Sequence, residues 1–369
     1  MSSESWLREV TTGARAVSEL VSLGHVGAND AAALEAVAAR FEMWVSRYYL
    51  SLIDRADPQC PIRKQALPHP DELLALPTEL TDPIGDLAHR QPPVVIHRYP
   101  DRALLFPTLR CPMFCRYCFR KVYLNEEDPI RLSQDLDRAI AYITAQEGIR
   151  EVILSGGDPL LLTDTRLAGL LGRLRAIPHV RRLRIHTRVP ATLPMRLTTE
   201  LGGVLSAAGP LTVVSHFNHP RELTAQAIEG TRTLRMAGVP LANQSVLLRG
   251  VNDDTDTLRA LFEGLLDMGV RPYYLHHPDL TVGTQHFRVS LDEGLELTRA
   301  LRGRQSGLAI PHYVVEIPGG HGKVLVDSAS VVRTERRGVW RMTSPKGTQH
   351  TYVDPAVWPQ GIGAENDPD

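Results

Sequence analysis

Three of the chain's four cysteines fall within eight positions, as Cys111, Cys115 and Cys118 in "RCPMFCRYCFRK". Any fold that carries this segment must gather three thiols in one loop and settle the charges of Arg110, Arg116, Arg120 and Lys121 around them. Such crowding builds no disulfide framework, and in a reducing compartment it points to metal. Thiolates suit zinc or iron–sulfur chemistry. A closed zinc site wants four ligands, for which Cys60 or His97 is the available fourth; Cys60 otherwise reads as a structural or surface thiol. A four-iron cluster on three thiolates leaves one iron open to a ligand, a catalytic arrangement. The basic neighbours are expected to offset thiolate charge and attract an anion.

With 369 residues and 43% hydrophobic side chains, the chain can bury a large core. Its 41 basic and 42 acidic residues cancel, so no global field favours nucleic acid or a membrane surface. No apolar run approaches the ~20 residues of a membrane span, and "MSSESWLREV" lacks the features of a secretory signal, so a cytoplasmic protein is expected. Residues 1–90 read as an N-terminal helical region and connector. Its "ANDAAALEAVAARFEMWVSRYYLSLI" has apolar residues at helical spacing behind an N-cap at Asn29 or Asp30, and a Pro-rich stretch follows as an ordered connector. Residues 91–327 alternate short β-rich runs with amphipathic helices. Six strands ("ALLFPTL", "EVILSGG", "RRLRIHT", "LTVVSHF", "PLANQSVLL", "RPYYLHH") specify a parallel α/β sheet, either a full or partial barrel or an open doubly wound sheet. Residues 328–369 read as a short C-terminal extension, with "QGIGAENDPD" as a frayed tail.

In such sheets the loops after the strand C-termini carry the site. The cysteine loop, "SGGDP", "HTR", "HFNHP" and "HHPDL" all fall there. In "SGGDP", Gly156 and Gly157 let backbone approach a ligand, and Asp158 can accept hydrogen bonds. In "EIPGGHGKVLV", Lys323 follows three glycines that would give a cofactor room. The spacing is not that of a phosphate-binding P-loop, and Val324 follows the lysine. A surface turn with an exposed lysine is the plainer alternative.

The C-x3-C-x2-C loop followed by "SGGDP" resembles the radical S-adenosylmethionine (SAM) superfamily. With "DPQCPIRKQALP", "HRYPDR", "SHFNHP", "NQSVLLRGVND", "RPYYLHHPDL", "GTQHFRV", "LRGRQSG" and "EIPGGHGK", the chain resembles the lysine 2,3-aminomutase family from about Asp57 to about Val326. The resemblance implies a partial (β/α)6 radical SAM barrel. It also implies a [4Fe-4S] cluster on Cys111, Cys115 and Cys118, SAM on its open iron, and pyridoxal 5′-phosphate (PLP) held covalently by Lys323. Arg98, Tyr99 and Arg102 match the surroundings of the PLP phosphate, and Ser155, Gly156, Gly157, Asp158, His216 and Gln244 match SAM contacts. Arg120 matches the partner of the substrate carboxylate, and Asp279 and Glu316 match an acidic pair that grips a lysine ε-ammonium.

The implied reaction moves the α-amino group of L-lysine to C3, giving β-lysine, by way of a radical generated from SAM. It needs an electron donor such as flavodoxin or ferredoxin. Arginine or ornithine as substrate, β-lysine formation for elongation factor P, and a PLP-assisted radical SAM lyase or epimerase are the alternatives. Two features depart from the family pattern. Glu316 stands where aspartate is usual, and Asp254 stands where longer members have a zinc-binding cysteine. No cysteine follows Cys118, so no structural zinc is expected. The domain-swapped tetramer of the longer members loses its support, and a homo-oligomer of another kind stays open.

Overall fold

Apolar strands separated by capped amphipathic helices dictate a βα series, and that series is what forms. The structure is a computed structural model that describes residues 3–92, 94–122 and 129–361. Ten strands lie in one sheet in chain order: β1 (Arg90–Gln91), β2 (Val95–Tyr99), β3 (Arg102–Thr108), β4 (Glu151–Gly156), β5 (Arg182–His186), β6 (Leu211–Ser215), β7 (Leu241–Val246), β8 (Arg271–His276), β9 (His312–Ile317) and β10 (Gly322–Leu325). Neighbours from β3 to β9 run parallel, whereas β1–β2, β2–β3 and β9–β10 are antiparallel. β1 and β10 do not pair with each other, so the sheet is a partial barrel. The six expected strands are β3 to β8. β9 extends the parallel run because "HYVVEI" is itself an apolar β-branched segment; in the sequence it merges with the glycine turn that follows.

Six helices cross over between the parallel strands: Pro129–Ala145, Asp164–Arg175, Thr199–Ala207, Ala225–Met236, Thr255–Asp267 and Leu291–Leu301. Thr163, Thr198, Thr224, Asp254 and Ser290 cap the last five, each accepting a backbone N–H in the first turn. Asp254 therefore starts a helix. Buried leucines from these helices, such as Leu167, Leu171, Leu201, Leu258 and Leu261, pack with Val152, Leu154, Leu183, Ile185 and Val213 of the strands in one core. A separate antiparallel sheet, β11 (Val331–Arg333), β12 (Val339–Thr343) and β13 (Gln349–Val353), forms the C-terminal part. The tail from 362 onward lies outside the described residues. Among the described residues no helix is long and apolar enough to cross a membrane.

The N-terminal region departs from its expected long helix. One helix spans Ala31–Arg40 behind Asp30, and a second spans Arg47–Ser51. Between them Val45 makes backbone bridges to Ala14 and to Met113 of the cysteine loop. Ser46 then caps the second helix through Tyr49 N and donates its hydroxyl to Thr192 O at 2.6 Å. Tertiary pairing with the cysteine loop overrides helical periodicity here. The same region supplies a second core, in which Val17, Leu20, Tyr49, Cys60 and Ile62 pack with Met113 and Cys115.

Gly157 shows how tightly the cysteine loop is set. A β-carbon at this position would overlap Leu109 and Arg110 backbone. Gly157→Ala is expected to destabilise the protein by about 1–3 kcal/mol, as overpacking does, and to lower its iron content after anaerobic reconstitution. Urea denaturation and iron analysis check both.

Candidate active site

The site begins where β3 and β4 end. Gly157 N donates to Thr108 O at 2.9 Å, and Asp158 N donates to Arg110 O at 2.7 Å. Gly156 takes φ +93°, and a β-carbon there would lie 2.8 Å from the Phe106 side chain. These glycines thus admit the chain's own cysteine loop. Asp158 is likewise committed. Its Oδ1 accepts from Thr187 Oγ1 (2.7 Å) and Leu160 N (3.1 Å), and its Oδ2 from Arg188 N (2.7 Å) and Val189 N (3.2 Å). Burial raises its pKa, and those donors oppose the rise. Asp158 therefore pins the loop after β5 to the loop after β4.

The three thiols are half-buried beside this turn. Burial, then the neighbouring Cys115, pushes Cys118 up to about 11. Cys111 is also raised, by burial, by Asp158 and by the other two sulfurs. Three protein thiolates therefore cannot share this loop without added positive charge. A cation touches one of them directly: Arg188 Nη1 donates to Cys115 Sγ at 2.7 Å. Its Nη2 meets Tyr49 Oη (3.0 Å), Gln65 Oε1 (2.7 Å) and Glu222 Oε1 (2.8 Å). The irons of a cluster supply the remaining positive charge, so the donor set fits. Among the described residues no three His, Cys, Asp or Glu side chains gather closely enough to hold one metal ion. A cluster, with one thiolate per iron, does not require that.

Arg120 and Lys121 do offset thiolate charge, Arg120 toward Cys111 and Cys118 and Lys121 toward Cys118. Arg116 and Lys121 both pair with buried Glu72; the Lys121 contact is 2.7 Å. Burial alone would raise the Glu72 pKa, but these two cations hold it low. Burial lowers Lys121 to about 8 despite the same carboxylate. Arg120 lies against Asp86. Cations this buried need counter-charges from the protein itself, and Arg116 and Lys121 are spent on Glu72. Cys60 packs in the helical core, and His97 Nδ1 lies 2.9 Å from Tyr142 Oη.

Lys323 lies on β10, where register sets it beside Glu316 of β9. Its Nζ is 3.4 Å from Glu316 Oε1 and 4.8 Å from the Tyr274 ring centroid. Its backbone N–H donates to Tyr99 Oη at 3.2 Å. Glu316 Oε2 accepts from Arg98 Nη1 at 3.1 Å, and Arg98 Nη2 is 3.6 Å from Asp86 Oδ1. Asp86 Oδ2 accepts from Arg120 Nε (3.1 Å) and Nη2 (3.0 Å). A row of alternating charge thus runs from the cysteine loop to the lysine. Asp279 stands close by. Burial and then Glu316 raise it to about 7, while Lys323, Arg120 and Arg98 pull the other way.

His216 Nε2 is 3.3 Å from Tyr117 Oη of the cysteine loop, and burial together with Arg188 lowers it to about 3. Gln244 is the register partner of Tyr274. Arg102 pairs with Asp101 at 2.8 Å and stacks 3.9 Å over Tyr99. His186 Nε2, His276 Nε2 and Arg98 Nε are buried without a hydrogen-bond partner, as groups awaiting a polar ligand are. The glycines before Lys323 serve the turn. Gly319, Gly320 and Gly322 have φ of 84°, 82° and 103°, and a β-carbon on Gly85 would lie 2.7 Å from Gly320 Cα.

Arg98, Arg120, Asp279, Glu316 and Lys323 therefore converge, with the three cysteines at one end. Sequence reasoning missed Arg188, Asp86 and the orphaned histidines. "HTR" and "HHPDL" flagged two of their segments, but "TDPIGD" carries no signal of its own. Glu316 pairs with Arg98 and Lys323; the alternative partner, Arg120, goes to Asp86.

The chain is similar to known proteins over most of its length. The radical SAM superfamily matches residues 105–261. The L-lysine 2,3-aminomutase of Fusobacterium nucleatum is 39% identical over 95% of this chain and 82% of its own length. That of Clostridium subterminale is 41% identical over 88% and 77%. The glutamate 2,3-aminomutase of Clostridioides difficile is 40% identical over 79% and 68%. The three-cysteine loop, the lysine-bearing hairpin and this breadth of similarity place the chain in the lysine 2,3-aminomutase family of radical SAM enzymes.

Proposed function

We propose that this protein is a PLP-dependent L-lysine 2,3-aminomutase, forming β-lysine from free lysine. The observation that carries this reading is the pair of carboxylates, Asp279 and Glu316, in one pocket with Lys323. The family includes a glutamate enzyme, so family alone does not choose the substrate. Asp279, held near neutrality by burial and Glu316, gains from a cation and loses from a second anion. A lysine ε-ammonium supplies that cation, and a glutamate side chain would add a third negative charge.

The family implies a [4Fe-4S] cluster and SAM; bound together they supply a radical that abstracts hydrogen, and PLP supplies an electron sink. Cys111, Cys115 and Cys118 would hold the cluster, with Arg188 balancing the Cys115 sulfur. Ser155, the backbone of Gly156 and Gly157, His216 and Gln244 would contact SAM. Lys323 would bind PLP covalently. Glu316 Oε1, 3.4 Å from its Nζ, would orient the Lys323 side chain. Tyr99 and Arg102 suit the phosphate, whereas Arg98 is already held between Asp86 and Glu316. Arg120 would take the substrate carboxylate as a charge-assisted pair. Asp279 orients the far end of the side chain, and the lumen limits water. Reducing a cluster calls for a one-electron donor of the flavodoxin or ferredoxin kind, and oxygen-sensitive thiolates suit the cytoplasm.

Lys323→Ala should abolish the visible absorbance of PLP-loaded protein; retained absorbance would move the attachment elsewhere. Asp279→Asn should raise the KM for lysine by about tenfold or more, equivalent to about 1.4 kcal/mol, with little change for amino acids lacking a cationic tail. The pH profile carries the same test. Protonation of Asp279 as pH falls through about 7 removes the clamp, so lysine KM should rise toward acid pH, and the Asn variant should flatten that limb. Unchanged lysine kinetics in Asp279→Asn would exclude the clamp.

A further inference from the structure

We propose that Asp86 is a positioning residue through which the site selects amino acids with a free α-carboxylate. The proposal rests on the reading of Arg120 as the carboxylate partner. Asp86 is 1% exposed and lies between two guanidinium groups, with Arg120 on Oδ2 and Arg98 on Oδ1. Arg120 presents Nε and Nη2 together to one oxygen, which fixes the plane of the fork, and the group packs over Phe106 and Phe119 at 4.8 and 4.3 Å. A guanidinium recognises a carboxylate well only when its plane is set.

The loop that bears Asp86 is built to hold it. Asp82 accepts from the backbone N–H groups of Asp86 and Leu87, each at 2.8 Å. Gly85, at φ +68°, packs on Gly320, and Gly319 N donates to Pro83 O at 3.2 Å. The carboxylate that orients Arg120 is thus fastened to the turn before Lys323. Carboxylate recognition and the amine-binding lysine are held in one frame. A free amino acid can use both; an amide, ester or peptide-linked residue cannot.

The test uses PLP-loaded enzyme without reductant and follows the visible spectrum during titration with L-lysine or L-lysinamide. Wild type should prefer lysine by about tenfold or more, the scale of one charge-assisted contact. Asp86→Asn should cut that preference to about threefold or less while keeping its PLP and iron, and Asp86→Glu should restore most of it. If Asp86→Asn keeps the wild-type preference while Arg120→Gln abolishes it, the role of Asp86 is wrong and the carboxylate reading stands. If Arg120→Gln keeps the preference too, that reading is wrong and the role of Asp86 goes with it. Loss of PLP or iron in both Asp86 variants would make Asp86 part of the fold alone and overturn the proposal.

Discussion

A buried guanidinium on a cysteine sulfur organises this molecule. Arg188 reaches Cys115 while its other nitrogen meets Tyr49, Gln65 and Glu222. Those partners come from the N-terminal helices and from the loop after β6. Asp158 holds the backbone of Arg188 and is itself seated against the cysteine loop. Removing any one member strands buried charge, a far larger cost than loss of a surface pair. The N-terminal region is therefore part of the site's wall and cannot be treated as an appendage.

The same demand explains the rest of the lumen. The buried cations here face shared acids: Glu72 holds Arg116 and Lys121, Asp86 holds Arg120 and Arg98, and Glu316 holds Arg98 and Lys323. Asp279 alone is left with repulsion from Glu316 as its leading charge interaction. A site balanced in this way accepts a zwitterion with a cationic tail at little electrostatic cost. It is a poor host for a diacid.

Much of the architecture was legible because its signals are local. Strand and helix periods, capping residues and the cysteine spacing each act within a few residues, and β3 to β8 follow from them. Lys323, Asp279 and Glu316 were found by motif, since their residue types are rare inside a sheet lumen. What stayed hidden depends on distant partners. Arg188 looks like any strand-end arginine until Tyr49 and Gln65 arrive from the other end of the chain, and Asp86 looks like a loop aspartate until two arginines close on it. The helix expected through Val45 broke for the same reason: bridges to Ala14 and Met113 outweigh its periodicity. Around the glycines of "SGGDP" and of the turn before Lys323, the chain's own atoms come close, among them the Phe106 side chain at Gly156 and the His89 side chain at Gly320.

The most direct test of the account is the product formed by anaerobically reconstituted protein given iron, sulfide, PLP, SAM and reductant. Lysine, ornithine, arginine and glutamate would be supplied separately. The account predicts that lysine is converted to an isomer of unchanged mass with its amino group on C3, and that glutamate is untouched. Turnover of glutamate in preference to lysine, or loss of ammonia from lysine without isomerisation, would contradict it.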